Sequence, residues 1–280
     1  MVRIASFELD GRSAFGVVTD DGVHDLSGGP ADDLVDAVTS GDDLARRAGT
    51  VPTVDAAAIA WLPPVPNPAR ILCVGLNYRD HAEESATIAP SGDRPTIFTR
   101  FASSVVGHER PLLAPTASDT FDYEGEVVVV IGRRGRNIAV DEALDHVLGL
   151  TPFMDGSVRE FQRHTSQFTP GKNFDDSGAS GPWITTLDEI DDLDAVTVTT
   201  RVDGEVRQHA PLGDLITPIP EIIAYCSSFT TLEPGDVIAT GTPGGVGVAR
   251  DPALFLRPGM TVEVEVSAVG TLHNPVVASP

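Results

Sequence analysis

Lysine is almost missing from this 280-residue chain: Lys172 is the only one, and the other 18 positive charges are arginine. Cysteine is scarce as well. Cys73 and Cys226 both sit in apolar surroundings, which suits small buried hydrophobes and argues against a disulfide framework or a zinc site. No apolar run approaches the roughly 20 residues needed to span a bilayer, and Met1-Val2-Arg3-Ile4 leads into alternation rather than a signal-peptide core. The expectation is a soluble, cytoplasmic protein without a membrane role.

Positive charge is outweighed throughout. With 41 acidic against 19 basic residues the net charge is −22 and the pI about 4.4, which repels phosphate backbones and anionic lipid and disfavours nucleic-acid partners. The excess is mostly aspartate in short clusters such as Asp20-Asp21 and Asp191-Asp192. Such a halophile-like surface fits a high-salt cytoplasm, where screening relieves self-repulsion, although an acidic protein from a GC-rich genome would look similar.

The 27 glycines and 22 prolines point to a turn-rich, strand-heavy protein, long enough for a large domain with a small appendage. Residues 1–62 read as a small N-terminal domain. Strands are expected at Val2–Leu9 and Ser13–Thr19 around Asp10-Gly11, followed by a turn at 20–22 and a helix over 31–48. The Pro-rich stretch 63–69 is the expected linker, since it suits neither helix nor central strand. Residues 70–280 form the expected main domain. It includes strands at Ile71–Gly75, Val127–Ile131 and Thr261–Val266, helices near 140–147 and from Pro220, and a hairpin at Asp203-Gly204.

Three carboxylates stand out. Glu124 and Glu126 flank Gly125 at the start of the Val127–Ile131 run, and a period of two puts both on one face. Like charges so close call for a cation, and Asp155 could supply a third oxygen ligand. A set without imidazole or thiolate favours a hard ion, Mg²⁺ first, then Mn²⁺ or Ca²⁺. Lys172 lies just downstream, and a compact ammonium is poorly replaced by a planar guanidinium. Gly171-Lys172 is no P-loop, because Asn173 stands where Ser or Thr is required.

Several segments in register resemble the fumarylacetoacetate hydrolase family over residues 70–277. They are Ile71 through Glu84, Phe121 through Glu126, Asp155 through Lys172, Pro234 through Gly247, and Gly270-Thr271-Leu272 with Asn274-Pro275-Val276. The resemblance implies a mainly β fold with some α, a mixed β-roll core of the family's C-terminal type, and a small N-terminal α+β domain. It also implies that Glu124, Glu126 and Asp155 hold a divalent metal, that Lys172 is an active-site lysine, and that Arg159 and Gln162 line the substrate pocket. Thr242 matches a substrate-carboxylate contact. His81 and Glu84 match a His-x-x-Glu dyad, and their spacing of three places them on one helical face. His108, His146, His164 and His273 are expected to be structural or exposed. Met154, Gly156, Val158 and Glu160 depart from the usual neighbours of the ligand aspartate and reshape the pocket.

The expected activity is metal-dependent hydrolysis of a C–C bond in a 2,4-dioxo acid of the acylpyruvate type, with a small 2-oxo acid as partner and a homodimer as assembly. The alternatives are an isomerase or decarboxylase of a hydroxymuconate-like diacid, or a dehydratase of a 2-keto-3-deoxy sugar acid. A non-catalytic metal-binding protein ranks last, since it would have little reason to keep Lys172, His81 and three ligands together; the fold itself does not fix the substrate, because one scaffold hosts many reactions.

Overall fold

The computed structural model describes residues 2–29, 31–41, 43–84 and 94–280. Strands dominate. The largest sheet runs in the order Thr53–Val54, Gly22–Asp25, Arg12–Thr19, Arg3–Leu9, Ile184–Thr186, Val147–Met154, Gly125–Ile131, Val237–Ala239, Ile71–Gly75, Thr96–Arg100. A second sheet orders Glu205–Pro211, Thr197–Val202, Thr261–Val266, Gly270–Ala278 and Leu112–Ala114.

The N-terminal strands therefore extend the main sheet: Arg3 and Ile4 pair antiparallel with Thr185 and Ile184. The anticipated Asp10-Gly11 hairpin is present, and a third strand, Gly22–Asp25, occupies part of the region read as a turn. The anticipated helix over 31–48 is two short helices, Leu34–Thr39 and Leu44–Ala48, each with an aspartate (Asp33, Asp43) capping its first turn. Each cap gives the chain a new helical start, which breaks the single span. The segment expected to be helical near 140–147 is the 3₁₀ helix Val140–His146, whereas Ile219–Phe229 is a full α-helix.

Gly125–Ile131 is buried along its whole length, which is why its sequence does not alternate between apolar and polar residues. Val127, Val129 and Ile131 pack into the core shared with the second sheet, alongside Val198, Val264 and Leu272. Val128 and Val130 pack the other way, with Ile4, Phe15 and Leu34 of the N-terminal unit. Both cores thus fix one strand, and that strand begins between two glutamates. Gly125 is required there: a Cβ would lie 1.9 Å from Thr200 Oγ1 of the second sheet.

Candidate active site

Antiparallel pairing sets Met154 opposite Gly125, so Asp155 leaves its strand beside Glu124, and the Asp155 amide donates to the Glu124 carbonyl at 2.8 Å. The expected trio is assembled: Glu124, Glu126 and Asp155 are all buried and offer oxygens within 4.8 Å of one another. Lys172, from the short helix Thr169–Lys172, inserts its Nζ between two of them, 2.6 Å from Glu124 Oε2 and 2.6 Å from Asp155 Oδ2. The same ammonium stands 5.0 Å from the Phe98 ring centroid.

Two arginines complete the charge network. Arg100 donates through Nη1 to Asp155 Oδ1 at 2.5 Å and to the Gly156 carbonyl, and its other N–H groups go to Ser104 and Ser177. All five of its donors are spent, so its role is to hold Asp155. Arg159 donates through Nε to Asp122 Oδ2 at 2.7 Å and through Nη1 to Glu124 Oε1 and Gln162 Oε1. Its buried Nη2 has no partner among the described residues. Asp122 also accepts from the amides of Tyr123, Gly247 and Val248, which ties Arg159 to the loop after strand Val237–Ala239.

Four buried carboxylates (Asp122, Glu124, Glu126, Asp155) face three buried cations (Arg100, Arg159, Lys172), leaving a negative charge uncompensated. It falls on Glu126. Burial, then the charges of Asp155 and Glu124, push its carboxyl well above the usual range, and its only hydrogen bond among the described residues comes from the Gly241 amide at 2.9 Å. Burial acts the same way on Glu124, but the Lys172 and Arg159 charges overcome it and hold that carboxyl well below its usual value. For Lys172, burial opposes the charged form, while Asp155 and Glu124 outweigh it and raise the pKa. An oxygen-only trio with a charge deficit suits a hard divalent cation, so the residues fit the metal that the resemblance implies.

His81 and Glu84 lie on helix Arg79–Glu84 at the cavity wall with Arg159, Gln162, Lys172 and Thr242. They are neighbours without being hydrogen-bonded: His81 Nδ1 is 3.9 Å from Glu84 Oε2 and has no bonding partner among the described residues. Glu84 instead accepts from the Gly245 amide at 2.8 and 3.0 Å. Burial would raise the Glu84 carboxyl, but His81 and the Gly245 amide prevail and lower it. Gly245 has φ +100, and a Cβ there would meet the Arg207 carbonyl at 2.2 Å, so only glycine presents this amide to the helix.

Thr242 borders the cavity with its hydroxyl already committed. Its Oγ1 donates to the Gly125 carbonyl at 2.9 Å and accepts from Gln208 Nε2 at 2.8 Å, while Gln208 Oε1 accepts from the Gly125 amide. A hydroxyl has one proton, so the side chain retains only acceptor capacity. Asp122, Arg100 and Gln208 were not singled out from sequence. Asp122 lay inside a quoted motif, whereas nothing in spacing marked the other two, which arrive from distant strands.

This cavity is small, about 60 Å³. A larger open concavity of about 930 Å³ runs past Leu76, Arg94, Val140, Ile216 and Tyr225, and among the described residues the carboxylate cluster lines the smaller cavity instead. No helix among the described residues is long and apolar enough to cross a membrane.

The family described as Fumarylacetoacetate (FAA) hydrolase C-terminal matches residues 70–277. The mitochondrial oxaloacetate tautomerase of Xenopus laevis is 41% identical over 221 residues, covering 78% of this chain and 69% of that protein. Among solved structures, the fumarylacetoacetate hydrolase of psychrophilic Exiguobacterium antarcticum superposes with a TM-score of 0.89 at 33% identity, covering 100% of both chains. Maleylpyruvate hydrolase from Sphingobium sp. SYK-6, in complex with manganese(II) and pyruvate, has a TM-score of 0.83 at 27% identity, covering 99% of this chain and 100% of that one. The similarity thus includes an oxaloacetate tautomerase and a maleylpyruvate hydrolase, and the manganese(II) of the latter, with the oxygen-only trio here, supports a divalent metal.

Proposed function

The chain belongs to the fumarylacetoacetate hydrolase family, and from that premise we propose that it interconverts the keto and enol forms of a short 2-oxo dicarboxylic acid of the oxaloacetate type. Glu124, Glu126 and Asp155 would hold a divalent cation. When bound, that cation supplies Lewis-acid stabilisation of negative charge on the 2-oxo acid.

The residues around it perform the proton transfer. In the keto-to-enol direction a proton leaves C3, the C3–H electrons form the C2–C3 double bond, and the C2 oxygen takes up a proton. We assign that proton to His81, an imidazole of the cavity wall whose buried Nδ1 has no hydrogen-bond partner among the described residues. Lys172 spends two N–H donors on Glu124 and Asp155 and keeps a third for the developing enolate oxygen. Arg159 contributes its unpartnered Nη2, already desolvated and therefore needing no reorganisation when charge develops.

The observation that carries this reading is the 3.9 Å gap between His81 and Glu84. A water-activating dyad needs its carboxylate bonded to the imidazole, and Glu84 is bonded to the Gly245 amide instead. Proton shuttling needs only the imidazole. Hydrolytic C–C cleavage of an acylpyruvate remains the second reading, favoured by the adjacency of the same two side chains: a small rotation would join them, and apo geometry is often looser than the reacting state.

One experiment separates the readings. The metal-loaded protein is given oxaloacetate in its enol form and, separately, an acylpyruvate, with loss of enol absorbance and release of pyruvate as readouts. Tautomerisation without pyruvate release supports the proposal. Pyruvate release from the acylpyruvate, with no acceleration of oxaloacetate enol decay, overturns it. His81→Ala should slow the tautomerisation by about 10²–10⁴-fold, the usual range for a lost acid–base group.

A further inference from the structure

We infer that Arg163 selects for a second carboxylate on the substrate, making the site specific for diacids over monoacids. The inference rests on the 2-oxo acid reading above but concerns a residue that neither the family resemblance nor the metal site assigns.

Arg163 follows Gln162 directly, as the C-cap of the short helix Arg159–Gln162, and it borders the cavity from its exposed side. Its guanidinium has no hydrogen bond or ion pair among the described residues, in a chain of net charge −22. The contrast with its neighbours is chemical. Arg100, Arg159 and Lys172 are each bound to buried carboxylates of the site. Arg163 has nothing to hold. The apolar residues Val74, Leu76, Phe98 and Phe168 also line this cavity and offer no partner for a substrate anion.

A 2-oxo diacid anchored by its first carboxylate and 2-oxo oxygen at the buried trio must extend its other end away from that trio, toward solvent. Burying that carboxylate against Val74 and Phe98 would carry a desolvation cost. On the side of Arg163 it meets an unpaired guanidinium at the exposed rim of the same cavity, whose planar donors match a carboxylate bidentately. A monoacid gains nothing from Arg163. The residue therefore acts through differential affinity, which is what specificity requires.

The test uses full-length, Mn²⁺-loaded protein at low ionic strength, with Arg163→Gln and Arg163→Lys. Calorimetric dissociation constants are measured for pyruvate and for 2-oxoglutarate, and kcat/KM is measured for oxaloacetate enol. In Arg163→Gln the ratio of diacid to monoacid affinity should fall about five- to tenfold, the scale of one partly exposed charge-assisted pair, and Arg163→Lys should recover part of it. The loss in kcat/KM for oxaloacetate should appear in KM, with kcat nearly constant. An unchanged affinity ratio in Arg163→Gln overturns the inference, as does an equal loss for both ligands. If wild-type protein does not accelerate tautomerisation yet its diacid preference vanishes in Arg163→Gln, the proposed reaction fails while the inference about Arg163 stands.

Discussion

Lys172 donates to Glu124 through a 2.6 Å bond in which both groups are buried, and each shifts the other toward its charged form. The same ammonium reaches Asp155 at 2.6 Å, so one side chain neutralises part of two carboxylates of the trio. Room for such a bridge is limited: Lys172 is 1% exposed. A guanidinium there would have to displace Phe98 or one of the acids.

Replacement of Lys172 by Met should therefore separate two properties. The buried carboxylates lose their partner, and the metal-free protein should be destabilised by about 3 kcal/mol or more, the cost of breaking a buried pair. Turnover should fall by roughly 10²-fold or more, the scale of one lost electrostatic donor. Mn²⁺ binding should persist or tighten, because the acids compete with one cation fewer. Lys172→Arg keeps charge but not shape and should also lose turnover. Near-normal kcat in a folded, Mn²⁺-loaded Lys172→Arg protein would show that the compact shape of the lone lysine is not needed for catalysis.

Glu84 gives a pH-dependent prediction away from the metal ligands. Its carboxyl is lowered in the folded state, so the stability it contributes is complete above the unfolded glutamate pKa, about 4.3, and is lost as pH falls through the lower folded value. Glu84→Gln keeps an acceptor for the Gly245 amide but removes the charge. Thermal unfolding of the two proteins should differ at pH 6 and converge as pH drops below about 4. A difference that stays constant across that range would mean that the Glu84 charge does not stabilise the fold.

Much of this site was legible because its chemistry is local in sequence. Glu124-Gly125-Glu126 announces itself by alternation, and the structure adds why its middle residue is glycine, namely the approach of Thr200 from another sheet. His81 and Glu84 share a helix as their spacing required, but their separation of 3.9 Å and the competing Gly245 amide depend on a loop 161 residues away. Thr242 was legible as a pocket residue, whereas the commitment of its proton to Gly125 needed Gln208, which no spacing connects to it. The fold followed the same rule. Thr261–Val266 and Ile71–Gly75 match their apolar patterns, whereas the pairing of Arg3–Leu9 with Ile184–Thr186 joins segments that only the tertiary fold brings together. The split of the 31–48 helix rests on a second capping aspartate, Asp43, inside an otherwise continuous pattern.

The charge of −22 has a consequence independent of the active site. Exposed aspartates such as Asp20, and the run around Asp191-Asp192, repel one another, and added salt shortens the range of that repulsion from about 10 Å at 0.1 M to about 3 Å at 1 M. The unfolding temperature should rise as KCl is raised over this interval. A flat or falling curve would show that the acidic surface is not an adaptation to salt and would leave the catalytic proposal intact.

Glu126 offers the most direct test of the metal site because it is the carboxylate without a cationic partner. In metal-free protein at neutral pH it sits between two negative charges, and Glu126→Gln removes that repulsion while keeping an oxygen for the Gly241 amide. The variant should therefore unfold at a higher temperature than the wild type after chelation. Added Mn²⁺ or Mg²⁺ should reverse the order. Wild-type protein gains binding energy, about 2.7 kcal/mol when the ion is at 100 times its Kd, whereas Glu126→Gln has lost one of three anionic ligands and should gain much less. Activity should follow the metal, disappearing on chelation and returning with Mg²⁺ or Mn²⁺. If neither ion raises the wild-type unfolding temperature, and chelated protein retains full activity, the trio does not bind a metal and the uncompensated charge on Glu126 requires another explanation.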